Sequence, residues 1–87
     1  DLAVVSAVLS SNFDFPIPET YCFAGEVGLS GEIRPVSQVD RSVMEAERLG
    51  FGKIFISSFS SSDFKPKKIS VVKAADIPAL VKALFRE

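Results

Sequence analysis

Residues 25–36 read GEVGLSGEIRPV, with glycines at 25, 28 and 31 inside an otherwise strand-like stretch. Such spacing fits a loop that cradles a ligand, a piece of an active site, or a hairpin turn. Face arithmetic separates them, because directly opposed residues of a hairpin share a face. A two-residue loop at Leu29-Ser30 sets Val27 against Glu32, apolar against charged. A three-residue loop, Leu29-Ser30-Gly31, sets Val27 against Ile33 and Glu26 against Arg34, and leaves Gly31 free for the left-handed conformation such loops need. The residues therefore predict strands at 21–27 and 32–36 joined in that register.

The ligand readings fail on context. The stretch lacks the GK[ST] ending of a phosphate loop and leads into a strand, so no helix N-terminus faces a phosphate. Gly28 to Gly31 matches the GXXG of a KH domain, but that loop joins helices and carries basic residues.

Outward from the hairpin, Pro35 cannot donate to a ladder and places the second strand at an edge or at its end. Ser37 followed by Asp40 resembles a capping box, and Val39, Val43, Ala46 and Leu49 recur at helical spacing, predicting a helix over 38–49 that stops at Gly50-Phe51. Its outer face carries Arg41, Glu45 and Arg48. KIFIS, residues 53–57, is apolar on both faces and reads as a central strand, with a right-handed parallel crossover through the helix. The low-complexity segment SSFSSSDFKPKK, 57–68, is expected to be the most mobile part. ISVVK, 69–73, is the last strand, and Asp76 caps a final helix with Pro78 in its first turn and Ile77, Leu80, Val81, Leu84 and Phe85 on one stripe.

Upstream, LAVVSAVL, 2–9, is apolar nearly all round, the pattern of a helix buried on several faces, with Asp1 near its cap and Asn12 as its stop. FDFPIPE, 13–19, is an extended connector. The fold expected is α/β, in the order α-β-β-α-β-β-α, with a mixed sheet packed with helices. An 87-residue chain can hardly cover its own first helix, so an upstream segment or a second subunit is expected against it, and the fragment should dimerise or swap elements.

Composition excludes several functions. There is no histidine, which removes Ser-His-Asp and Cys-His catalysis, histidine metal sites and an imidazole shuttle. A formal charge of −1 gives the whole chain no claim on nucleic acid or membrane, so any DNA contact must be a local patch. No run approaches the roughly 20 apolar residues of a bilayer span, and the opening stretch lacks the basic flank of a signal peptide. The chain therefore reads as soluble and as a piece of something longer. Cys22, alone, reads as a buried strand thiol. The carboxylate pairs Glu26/Glu32 and Asp40/Glu47 lack an apolar pocket that would split their pKa values. Lys65, Lys67 and Lys68, beside Phe64, read as solubilising, and Arg41 and Arg48 as a solvated helix face partly neutralised by Glu45 and Glu47.

GEVGLSGEIRPV, then a helix ending in EAERLGF and a strand KIFIS, resembles the C-terminal Lon-protease-like domain of the RadA/Sms family of DNA repair proteins, and DLAVVSAVLSS resembles that family's helix after its acidic, alanine-rich motif. The resemblance covers nearly the whole chain. It implies a Lon-protease-like (ribosomal-protein second-domain-like) fold, with residues 1–87 as a single domain that forms the C-terminal part of a longer domain and protein. In Lon peptidases the hairpin leads to a catalytic lysine, which here falls at about Asp40, and the nucleophilic serine falls just before Asp1. A carboxylate cannot act as the amine base for a serine, so peptidase chemistry is not expected and no catalytic residue is assigned. The family further implies a homo-oligomeric parent, a hexameric ring, that is a DNA-dependent ATPase or branch-migration helicase, with ATP, magnesium and zinc bound outside this chain and no cofactor within it. The domain would serve ring assembly and DNA contact, single- or double-stranded, through Arg34, Arg41, Arg48 and Lys53, with no membrane partner. Rival readings are the C-terminal half of an active Lon-type serine peptidase and a purely structural oligomerisation module. The expected location is bacterial cytoplasm or nucleoid, or a chloroplast or mitochondrion if the source is a plant.

Overall fold

The hairpin forms in the register that the faces demand. In the computed structural model, which describes residues 2–14 and 16–85, Val27 pairs with Ile33 and Glu26 with Arg34. The Gly28 N–H donates to the Glu32 carbonyl at 2.9 Å and the Gly31 N–H to the Gly28 carbonyl at 3.0 Å, closing the three-residue loop. Gly31 has φ 82°, the left-handed region that favours glycine. Gly28 serves space instead: a Cβ there would lie 1.9 Å from the Glu32 carboxylate. That carboxylate accepts the Ser30 N–H at 3.1 Å and the Arg34 Nε and Nη2 hydrogens at 3.0 and 2.8 Å. Two of the three glycines are thus accounted for by the turn itself.

The elements are α1 (Leu2–Phe13), β1 (Tyr21–Ala24), β2 (Glu26–Val27), β3 (Ile33–Arg34), α2 (Val39–Arg48), β4 (Lys53–Ser57), β5 (Ser70–Ala74) and α3 (Ile77–Phe85). The α/β class and the packing of helices on a parallel sheet are as expected. The order differs, because residues 21–27 do not run as one strand. They break at Gly25, whose carbonyl accepts the Leu2 N–H at 3.2 Å, so the order is α-β-β-β-α-β-β-α. In place of one mixed sheet there is a three-stranded parallel sheet, β1-β4-β5, and a separate antiparallel ribbon, β2-β3. β3 ends before Pro35, which contributes no ladder donor.

β4 is central, and its alternation splits the core in two. Ile54 and Ile56 face Val39, Val43 and Ala46 of α2 together with Ile69. Phe55, on the opposite face, is buried with Leu2, Ile33, Ala74 and Leu80. The Tyr21 and Phe23 rings flank Phe55 with centroids 5.3 and 5.0 Å away. The expected stripe of α3 contributes Leu80, Ile77 and Leu84 to this cluster, and Ala79 and Ala83 pack beside them.

Helix ends follow local chemistry with one exception. Asp76 caps α3, its carboxylate accepting the Ala79 N–H at 3.0 Å. α2 ends as expected: the Phe51 N–H reaches the Ala46 carbonyl at 3.0 Å, the Gly50 N–H reaches Glu47 at 3.1 Å, and Gly50 has φ 93°. Its start corrects the capping-box reading. Gln38, with φ 55°, is the N-cap and gives no side-chain cap, its side-chain oxygen accepting from Arg41, while Asp40 is directed to Ser62 and Asp63.

α1 is buried along one side only. Leu2 and Ser6 are enclosed, whereas Val4 and Val8 are 60% and 53% exposed. The enclosed Ser6 hydroxyl has no hydrogen-bond partner among the described residues. The cap assigned to Asp1 lies outside the described residues, and the last strand runs one residue later than expected, 70–74.

The hairpin is fastened to the sheet by Ser57. Its buried hydroxyl donates to the Ile33 carbonyl at 2.7 Å and accepts the Phe59 N–H at 3.0 Å. Ser57→Ala leaves both groups unpaired and is expected to cost about 1–3 kcal/mol of stability, measured by urea unfolding.

Candidate nucleic-acid interface

α2 buries Val39, Val43 and Ala46 and turns its charged residues outward. Asp40 and Glu47, seven residues apart, fall on one flank two turns from each other. Segment 58–69 runs along that flank. The Asp40 carboxylate accepts the Ser62 hydroxyl and, at 3.3 Å, the Asp63 N–H. One oxygen of Glu47 accepts three consecutive backbone N–H groups, from Lys67 at 2.8 Å, Lys68 at 2.6 Å and Ile69 at 3.3 Å. The low-complexity segment expected to be loose is therefore clasped at two points. The pair Asp40/Glu47, weighed for acid-base work, does this structural task instead.

The clasp brings Lys67 and Lys68 to an open cleft of about 690 Å³ along α2, lined also by Arg41, Met44, Glu45, Glu47, Arg48 and Phe64. Four cations stand against two carboxylates there, so the cleft is locally positive on a chain of net charge −1. Arg48 is ion-paired to Glu45 at 2.5 Å with both side chains more than half exposed, and Arg41 donates to the Gln38 side chain at 3.3 Å. Met44, 52% exposed, supplies apolar surface beside them.

Of the four contacts assigned from sequence, Arg41 and Arg48 meet in this cleft. Arg34 is engaged by Glu32 on the hairpin, and the Lys53 ammonium sits 5.0 Å from the Tyr21 ring centroid on the parallel sheet. Lys67 and Lys68, read as solubilising, join the arginines, while Lys65 lines a different cavity with Lys73. The available signal was the pair of acids at i and i+7 on α2, Asp40 and Glu47, beside a low-complexity segment with no regular structure to receive its backbone N–H groups.

The electrostatics are those of structural carboxylates. Glu47 is held below the usual carboxylate range by the Lys68 N–H first, then those of Ile69 and Lys67. The Arg48 hydrogen bond lowers Glu45, and Glu45 in turn raises Arg48. Glu32 is lowered by its own backbone N–H and by Arg34. Cys22 is half-buried, less enclosed than expected, and burial pushes its thiol up, away from the reactive thiolate. Among the described residues no helix is long and apolar enough to cross a membrane.

The family model described as subunit ChlI of Mg-chelatase matches residues 1–60, from α1 through the turn after β4. DNA repair protein RadA of Listeria monocytogenes is 48% identical over 86 residues, 97% of this chain and 19% of that protein. RadA of Streptococcus pneumoniae is 41% identical over 86 residues, 98% of this chain and 20% of the relative, and RadA of Bacillus subtilis is 42% identical over 78 residues, 88% and 17%. The chain belongs to the family described by that model and, by its likeness to these relatives over nearly its whole length, to the RadA family of DNA repair proteins. It spans about a fifth of the length of the curated relatives it matches.

Acid should open the clasp. A carboxyl whose folded pKa is depressed stabilises the fold fully above its ordinary value of 4.5 and loses that contribution as pH falls below it. Amide exchange at Lys67, Lys68 and Ile69 is expected to accelerate, relative to the β4 amides, on titration below about pH 4.5. Arg41, Arg48, Lys67 and Lys68 oppose protonation of Glu47, and Glu45 favours it, so added salt should raise the pH of opening.

Proposed function

We propose that this domain is the non-catalytic DNA-contact and assembly module of a RadA-type repair protein. The observation that carries the reading is the convergence of Arg41, Arg48, Lys67 and Lys68 on one cleft. Guanidinium and ammonium groups beside an exposed apolar surface suit a phosphate backbone, and contacts of this kind position DNA without reading its sequence. The Arg48–Glu45 pair is exposed, so exchanging its carboxylate for a phosphate costs little. Arg34 and Lys53 lie off the cleft, held by Glu32 and Tyr21, and take the lesser part.

The non-catalytic part rests on Asp40. At the position where the Lon resemblance places an amine, this chain has a carboxylate occupied by Ser62 and Asp63. An active peptidase half would need a lysine there. Assembly is supported by the outer face of α1, where Ala3, Val4, Ala7 and Val8 are exposed. A homo-oligomeric ring would cover that face, and the ATP, magnesium and zinc chemistry of the parent would lie in its other parts. A bacterial cytoplasmic or nucleoid location fits this role, and an organellar one fits if the source is a plant.

Fluorescence anisotropy of labelled single- and double-stranded DNA across a salt series tests the contact. Binding should weaken steeply with salt, and Arg41→Ala or Lys67→Ala should weaken it for all sequences and reduce the salt slope by about 1 each. Arg34→Ala and Lys53→Ala should leave the slope nearly unchanged. Unchanged slopes for the cleft variants would remove the contact, and no binding at low salt would leave an assembly scaffold.

Light scattering tests the second part. Association should rise with concentration and fall in Val8→Glu; a strict monomer at high concentration would sink assembly through α1.

A further inference from the structure

Glu47 is the anomaly of the cleft. A phosphate-binding surface gains nothing from an acid placed among its cations, yet this one has two. Their bonding differs. Glu45 is hydrogen-bonded to the exposed Arg48 side chain, with the charge of Arg41 also acting on it. Glu47 directs one oxygen at the three successive N–H groups of Lys67, Lys68 and Ile69. Successive N–H groups converging on one point form a nest, a concavity made for an anion. Here the anion is internal, and two of the three residues whose backbone forms the nest are the lysines of the cleft. Ile69, the third member, is buried in the core against Ile54 and Ile56, so the nest is anchored at its far end.

We propose that Glu47 is a positioning residue whose carboxylate strengthens DNA binding by fixing the backbone that presents Lys67 and Lys68. This rests on the DNA-contact reading above. Removing a negative charge from a phosphate site tightens binding by simple electrostatics. Removing the acceptor of the nest does the opposite: the 65–69 backbone loses three hydrogen bonds, and both lysines must be ordered on binding. Ordering one long side chain costs roughly 3- to 10-fold in affinity, which exceeds the effect of one screened surface charge. The depressed carboxyl of Glu47 keeps the clasp closed at neutral pH.

Two acids of equal charge make the experiment discriminating. Anisotropy titrations with the same labelled DNA are run on this chain and on Glu45→Ala, Glu47→Ala and Glu47→Asp, alongside amide exchange at Lys67, Lys68 and Ile69. Glu45→Ala is expected to bind more tightly. Glu47→Ala should bind at least about 3-fold more weakly, with faster exchange at the three amides. Glu47→Asp keeps the charge but withdraws the oxygen by one methylene, so it should also weaken binding; it stands in if Glu47→Ala does not fold. Tighter binding by Glu47→Ala, or unaltered binding by Glu47→Asp with faster exchange, overturns the positioning role while the DNA contact stands. Absence of salt-dependent binding by the unmodified chain overturns both.

Discussion

The main chain and side chain of Ile33 tie together parts of the molecule that are far apart in sequence. Its N–H donates to the Ala75 carbonyl at 2.8 Å and its carbonyl accepts the Ser57 hydroxyl at 2.7 Å. Its side chain is fully enclosed with Leu2, Phe55, Ala74 and Leu80. One residue of a two-residue strand thereby joins α1, the central strand and the approach to α3. A ribbon as short as β2-β3 is not stable alone; it is held by this docking, and the Gly28–Gly31 turn exists to deliver Ile33 in the correct register. A slip of one residue would place Glu32 where Ile33 is buried.

A second constraint governs the other side of the sheet. Segment 58–69 carries a dozen backbone N–H groups, fewer the proline at 66, with little regular structure to receive them. Such groups require partners. α2 supplies them for Asp63, Lys67, Lys68 and Ile69, and it can do so because its inward residues, Val39, Val43 and Ala46, leave the flank with Asp40 and Glu47 facing the segment. The helix is thus both a core element and the template for the loop beside it. Burial of Ile69 against β4 locks the end of that loop into the same core.

What was legible in the sequence was local. The hairpin register follows from opposing Val27 to Ile33, the α2 stop from Gly50-Phe51, the α3 cap from Asp76, and the centrality of β4 from apolar residues on both faces. What was not legible depends on partners distant in sequence. The break at Gly25 coincides with the bond from the Leu2 N–H, 23 residues earlier, a partner that the local sequence does not reveal. Ser37 and Asp40 have the spacing of a capping box, but Asp40 finds better donors 22 and 23 residues away. Ser6 turns inward because Leu2 leads α1 into the core and the next position on that face is four residues on. The site was half legible: the arginines follow helical spacing, whereas the lysines reach them only through the Glu47 clasp.

Net charge therefore describes this chain poorly. Ten cations and eleven acids nearly cancel in the sum, yet they are not mixed evenly in space. Several acids are consumed internally: Glu32 by Ser30 and Arg34, Asp40 by Ser62 and Asp63, and Glu47 by three backbone N–H groups. Two of these carboxylates, those of Asp40 and Glu47, accept their hydrogen bonds from hydroxyl and backbone N–H donors. They satisfy the partial positive charge of backbone amides, and Lys67 and Lys68 keep their charge exposed at the cleft. An acid that accepts from the backbone subtracts from the formal sum but shapes the positive surface, so the same residues that bring the chain close to neutrality also give it a local cationic face.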